Sequence, residues 1–294
     1  MKIQLAIGAA LTFLGIAQST FTSYATHFDG IGQPYGGCGI PESLMGYPHY
    51  LALNVQNTPN DYGTFLHRPI SNSEGSKIGQ FNNGKNCGRF VRVHIGRFCT
   101  GVNSGNPGEP FCHNGSLVDD EFTGAYQDYI VTDSCQDGNR WCRDDKNHVD
   151  LKTESLRSFK QNGKQVDVSH KWGNREVHWD FIDGPSLEMT VYFGQNAQEY
   201  YPAIFLAGIH NGIQSVEEKV NGQWREAKMN SDMGQSFVLT GNNSGVYEIQ
   251  VKDIHGHTYR GHSIKFTFPS NCPNKKCGTE PGYKAHVLDS AFLQ

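Results

Sequence analysis

The sequence predicts an all-β protein of two domains, a small closed barrel followed by a β-sandwich. Three observations predict it. Thirty-four glycines, 12% aromatic and only 18% charged residues among 294 suggest many short strands joined by turns. Alternating or β-branched segments recur through residues 20–270, while the turn chemistry between them changes near Asp183-Gly184-Pro185. All eight cysteines lie beyond residue 37, an even number that reads as disulfides in an exported chain.

Residues 1–19 read as a signal peptide. Lys2 supplies the positive start, residues 3–16 carry no charge, and Ala17-Gln18-Ser19 offers small residues for cleavage. The run is too short for a membrane span of about 20 apolar residues. A second possible cut follows Ser23-Tyr24-Ala25 and would leave Thr26 first. The mature chain is expected to be secreted, with no membrane segment. Its formal charge is −4, or −5 once Lys2 is gone, too small and mixed to imply a nucleic-acid partner.

Residues 20–183 form the expected barrel. An alternating strand at 23–28 meets the turn Asp29-Gly30, then the glycine-rich corner Tyr35-Gly36-Gly37-Cys38-Gly39. Residues 50–55 lie in a loop-heavy region, 81–88 give a turn, and 90–95 alternate again. Residues 101–110 read as an exposed loop; Asn114 and, further on, Asn242 open glycosylation sequons. Residues 129–132 read as a strand and 176–182 as the closing strand. Between them Asp133 and Asp150 flank a loop that Cys135 and Cys142 can tie, and residues 151–159 read as a short helix.

Beyond the hinge at 183–185, strands are expected at 187–193, 203–206, 215–220, 237–239, 247–251 and 264–268. Turns at Asn221-Gly222, 241–245 and 253–256 separate them, and the spacing reads as a sandwich over 184–270. Residues 271–294 form a tail in which Cys272 and Cys277 close a small loop. Residues 285–294 receive no assignment.

The two acids carry the chemistry. A glycosidase needs one protonated and one ionised carboxyl. Asp150 also begins the expected helix, where an N-cap role would favour its ionised form; Thr153 is an alternative cap. Asp133 has turn hydrogen bonding as its ordinary role, and Thr26 is an ordinary strand threonine unless it faces the acids. Asp29, beside Gly30, is the only further acid near Thr26 and reads chiefly as a turn residue. Trp141, in the polar loop between the acids, is a candidate sugar-stacking ring, with His148 beside it. Trp172 and Trp179 are assigned to the barrel or domain interface, and Trp224 to the sandwich core. His255, His257 and His262 lie in a glycine-flanked hairpin and do not make a metal site. His27 misses the terminal position a copper oxygenase needs, and no other cofactor motif occurs.

Taken in order, these motifs resemble the expansins, secreted two-domain proteins that loosen plant cell walls. The resemblance runs from Tyr24-Ala25-Thr26 and Gly36-Gly37-Cys38-Gly39 through Phe81-Asn82-Asn83-Gly84 and Cys87-Gly88. It continues with Val131-Thr132-Asp133, Cys135, Trp141-Cys142 and His148-Val149-Asp150-Leu151. Residues 179–185, Tyr200-Tyr201-Pro202-Ala203-Ile204 and Asn221-Gly222-Gln223-Trp224 complete it. It implies a six-stranded double-psi β-barrel like that of family-45 endoglucanases, packed on an immunoglobulin-like cellulose-binding sandwich. It also implies the pairs Cys38–Cys87, Cys99–Cys112 and Cys135–Cys142; two family cysteines that pair together are missing, at Phe90 and in the Trp179 strand.

By the same resemblance Asp150 holds the position of the endoglucanase acid, and expansins lack the second carboxylate. Asp29 falls one residue short of it, which reverses its side-chain direction. Thr26, Asp133, Trp141, His148 and Asp150 are the implied polysaccharide groove. Tyr200 and Tyr201 stand where the family carries paired tryptophans, and Met233 falls near a third platform ring. Tyrosine offers less contact area than tryptophan, so weaker cellulose binding is expected. The expected function is non-hydrolytic loosening of walls by a monomer that binds cellulose and matrix polysaccharides. A weak endoglucanase using Asp150 with Asp29, and a purely carbohydrate-binding protein, are the alternatives.

Overall fold

The computed structural model describes residues 21–31, 36–103, 109–135, 138–230 and 235–288. The expected signal peptide, residues 1–19, and Met233 lie outside these residues. Nine strands belong to the first domain: β1 (Phe21–Phe28), β2 (Tyr50–Asn54), β3 (Phe90–Cys99), β4 (Leu117–Val118), β5 (Tyr126–Cys135), β6 (Val149–Lys152), β7 (Phe159–Gln161), β8 (Lys164–Val166) and β9 (Arg175–Ile182). Six of them close into a barrel in the order β3-β9-β1-β6-β2-β5, with β5 returning to β3. The β1–β6 and β2–β5 pairs are parallel and the other four antiparallel. Closure leaves no free edge in the ring. Alternation then sorts the side chains: Leu51, Leu53, Val149 and Leu151 fill the interior, while residues one step along face outward.

The helix expected at 151–159 is not formed. Residues 149–152 are strand β6, hydrogen-bonded to β1 on one side and β2 on the other, and a 3-10 turn follows over Thr153–Arg157. Two strand partners more than ninety residues away in the chain outweigh a local helical preference. Asp150 is therefore a mid-strand residue, not a helix cap. Among the described residues the one α-helix is α1 (Arg140–Asp144), which carries Cys142 at the end of the loop that the Cys135–Cys142 disulfide closes.

The sandwich has two five-stranded sheets. One runs β14 (Lys228–Met229), β15 (Ser236–Val238), β11 (Ala203–Ala207), β10 (Thr190–Phe193), β18 (Tyr283–Lys284). The other runs β13 (Gln223–Glu226), β12 (Ser215–Val220), β16 (Val246–Lys252), β17 (Ile264–Thr267), β19 (His286–Val287). The last strands come from the stretch read as a tail: β18 pairs with β10 and β19 with β17, so residues 283–287 give one edge strand to each sheet. Tyr283 and Ala285 are buried there. Trp224 is another departure. It lies on edge strand β13, 39% exposed, with the Lys219 ammonium 5.4 Å over its ring, and not in the sandwich core. Trp172 and Trp179 are buried in the barrel core.

The domains are in direct contact. Phe205 and Ala207 of β11 join the barrel's core cluster, and Ile213 N–H donates to Lys85 O at 2.9 Å. Gly184, in the linker, lies so close to the Phe90 ring that a Cβ there would be 1.9 Å from it. All four disulfides, Cys38–Cys87, Cys99–Cys112, Cys135–Cys142 and Cys272–Cys277, are formed. Among the described residues no helix is long and apolar enough to cross a membrane.

Candidate functional site

Strand register assembles the site. Thr26 pairs with Asp150, Asp150 with Ala52, and Ala52 with Asp133, one row across β1, β6, β2 and β5. Asp150 and Asp133 are thus two strands apart, about 9–10 Å between backbones at a strand spacing of about 4.8 Å. Between them Ala52 is covered by the Cys135–Cys142 disulfide and by Phe28.

Thr26 Oγ1 donates to Asp150 Oδ1 at 2.9 Å and lies 2.9 Å from His148 Nε2. A hydroxyl has a single proton to give, so the second contact runs from His148 Nε2–H to Thr26 Oγ1. Burial pushes the Asp150 carboxyl up to about 6; the nearby Asp133 charge adds to this, while the Thr26 hydrogen bond and His27 oppose it. Burial also raises Asp133, against hydrogen bonds from the Gly37 N–H at 2.6 Å and its neighbour Ser134 N–H at 2.8 Å. The Asp133 carboxylate fits against Gly36 and Gly37 so closely that a Cβ on Gly36 would stand 2.7 Å from it. A glycine-rich corner is therefore what lets Asp133 be gripped by backbone N–H.

His148 corrects an expectation. It is wholly buried and burial lowers its imidazole to about 3, so it stays neutral and touches no polymer. It acts behind Thr26. It also lies near Cys135 and Cys142, but both thiols are consumed by the disulfide, which leaves no set of metal ligands there. Asp29 sits beyond the end of β1, exposed, and no hydrogen bond or ion pair among the described residues ties it to the row.

Trp141 is half-buried on α1 and lines a cleft of about 370 Å³ together with Tyr24, Phe111, Asp144 and Asp145. Sequence reasoning missed these partners. Tyr24 precedes Thr26 by two residues on β1 and so shares its face, and its ring stacks on Phe111 at 3.4 Å between centroids. The alternation of β1 was the available signal for Tyr24; Phe111 comes from a distant loop tied by Cys99–Cys112 and left none. Asp145 caps the Tyr24 N–H at 3.1 Å and the Asn147 N–H at 2.9 Å, and burial raises its carboxyl.

On the sandwich, Tyr200 and Tyr201 are 77% and 46% exposed. They escape the opposite-facing rule of a strand because they lie in a turn ahead of β11, closed by paired Gln198 and Tyr201 backbones. The Tyr201 hydroxyl donates to Asn230. The Cys272–Cys277 loop supports this turn from behind: Cys277 N–H donates to Ala197 O at 2.9 Å, and Lys275 pairs with Glu199. Asn114 is exposed, and Asn242 is half-buried with its amide donating to Val246 O.

No family model matches the chain, and no curated protein matches it. Solved structures do. The chain is similar to the apo crystal structure of an expansin from Clavibacter michiganensis, at 15% identity and a TM-score of 0.53, covering 92% of this chain and 97% of that one. It is similar to an Asp-to-Asn mutant of the Clavibacter michiganensis expansin in complex with cellohexaose, at 14% identity and a TM-score of 0.52 over the same shares. The fold, a double-psi β-barrel followed by a β-sandwich, is that of the expansins.

Proposed function

We propose that this chain is a secreted, expansin-like protein that binds cellulose and matrix glucan and loosens plant-type walls without hydrolysing them. The observation that carries the reading is the Thr26–Asp150–Ala52–Asp133 row on the barrel combined with two exposed tyrosines on the sandwich. The solved complex of a similarly folded expansin with cellohexaose supports a glucan as ligand. In this reading Asp150, Asp133 and Thr26 hydrogen-bond one glucan chain, Trp141 stacks on it, and Tyr200 and Tyr201 hold a neighbouring chain. Gripping a strained conformation weakens that chain's hydrogen bonds to the next polymer, with no covalent step.

Hydrolysis requires a second, ionised carboxyl on the other side of the bond. Asp150, held neutral to about pH 6, has a general acid's environment. Of the two other acids, Asp29 is exposed beyond the strand end, and Asp133, in the same row as Asp150, has its carboxylate gripped by the Gly37 and Ser134 N–H groups. The Asn114 and Asn242 sequons fit an exported, glycosylated chain.

The test pairs two measurements. Incubation with soluble β-glucan is expected to release no new reducing ends. In a microcrystalline-cellulose pull-down, the Tyr200→Ala, Tyr201→Ala double variant is expected to lose most of the bound fraction. Accumulating reducing ends, or undiminished binding by the double variant, would overturn the reading.

A further inference from the structure

A tyrosine on a surface turn can swing about its side-chain bonds, and a ring stacks on a sugar only when its face lies along the polymer. Tyr201 is 46% exposed, yet its far end is held, because the hydroxyl donates to Asn230 Oδ1. Asn230 stands exposed just beyond β14 and is itself fixed twice by the first residue of β15. Its backbone N–H donates to Ser236 O at 2.8 Å, and its side-chain amide donates to Ser236 Oγ at 3.2 Å. With the amide nitrogen turned to Ser236, the amide oxygen is left facing the Tyr201 hydroxyl.

Ser236 is in turn seated on the barrel. It pairs with Phe205, which joins the barrel core, so the two residues share the barrel-facing side of the sheet. A Cβ on Gly39 would stand 3.1 Å from the Ser236 Cβ, and Gly39 has a φ of +71°, a conformation that favours glycine. Gln235, wholly buried, donates its backbone N–H to Cys38 O at 3.3 Å and its side-chain amide to Leu206 O at 2.6 Å. Cys38 and Gly39 belong to the same corner as Gly37, whose N–H holds the Asp133 carboxylate. Tyr201 and Asp133 are therefore the two ends of one connected path through Asn230, Ser236 and residues 37–39.

An exposed hydrogen bond replaces one with water and adds little to stability; the effect of this one is on where the ring points. We propose that Asn230 is a positioning residue of the tyrosine platform. Anchored through Ser236 to the glycine-rich corner of the barrel, it holds the Tyr201 ring in the plane on which a glucan chain stacks and in a fixed place relative to Asp133. The proposal rests on the glucan-binding function given above and adds the residue that orients its second surface. A ring immobilised beforehand loses no rotamer freedom when the polymer arrives. A platform fixed to the corner also keeps its chain at a set distance from the chain on the barrel row.

Adsorption isotherms of the full chain on microcrystalline cellulose test it. Tyr201→Phe keeps the ring and removes the hydroxyl, and Asn230→Ala removes the acceptor. Each is expected to weaken adsorption about two- to tenfold, the effect of one side chain that must be ordered on binding. The two together weaken it no further than either alone, because both remove the same interaction. Asn230→Asp keeps an acceptor for the Tyr201 hydroxyl and recovers most of the loss. Ser236→Ala, which loosens the anchor, gives a smaller loss that vanishes when Tyr201 is already phenylalanine. A merely structural role for Asn230 would instead give losses that add and that the aspartate does not recover. Native adsorption by Asn230→Ala, additive losses, or an aspartate no better than alanine would each overturn the proposal while leaving glucan binding intact. Failure of the unmodified chain to adsorb would overturn the function on which it rests.

Discussion

Burial holds the Asp150 carboxyl at about 6 although Thr26 donates to it, because the hydrogen bond offsets only part of the desolvation cost. His148, buried behind Thr26, is shifted the other way, to about 3. The two groups have opposite linkage. Asp150 binds its proton more tightly folded than unfolded, so its contribution is present below about pH 4 and is lost as pH rises through 6. His148 binds its proton more tightly unfolded, so its contribution is present above about 6.5 and is lost as pH falls through 3. Replacing Asp150→Asn keeps an acceptor for Thr26 and removes the ionisation. The variant is predicted to match the native chain at pH 4 and to exceed it by up to about 3 kcal/mol at pH 7, read by urea unfolding at several pH values. An advantage that does not grow with pH would contradict the buried setting of Asp150.

The element that carries Trp141 is α1, a single turn at the end of the disulfide-closed loop. Asn139 caps it, its side chain accepting the Trp141 N–H at 3.1 Å. From the helix, wholly buried Arg143 donates to the Thr58 hydroxyl and Thr64 O, fixing the loop whose Pro59 and Asn60 also line the Trp141 cleft. Asn139→Ala is predicted to cost about 1 kcal/mol and to weaken binding of a cello-oligosaccharide several-fold in calorimetric titration. Unchanged affinity would remove Trp141 from the binding surface. Local pattern made β1, β3 and the acids legible, since strand alternation is written in neighbouring residues. It misread 151–159 as a helix, because its first residues belong to β6, whose conformation is decided by pairing with β1 and β2, far away in the chain. Trp224 was misplaced for the same reason: a ring on a strand reads as core until the strand is known to be an edge.

At the scale of the molecule, the barrel row and the tyrosine turn are the two proposed polymer-binding surfaces, on domains whose cores touch. The C-terminal stretch serves the second of them. It gives an edge strand to each sheet, and its disulfide loop supports the tyrosine turn. No periodicity in residues 271–288 announces this, because strands of two residues carry no pattern. Ending the chain after Ser270 is predicted to lower the melting temperature and the cellulose-bound fraction together; full binding by the shortened chain would contradict the supporting role. The resemblance in the six barrel and sandwich motifs anticipated the architecture and the cysteine pairs, whereas the cleft around Tyr24, Phe111 and Asp145 emerged only once the loops were folded over β1. The central claim is mechanical, and it is tested most directly by the extension under load of heat-inactivated plant wall strips, with reducing ends counted in the same bath. The account predicts that the native chain extends the strips, that no reducing ends appear, and that Asp150→Asn extends them far less; extension accompanied by accumulating reducing ends, or undiminished extension by Asp150→Asn, would contradict it.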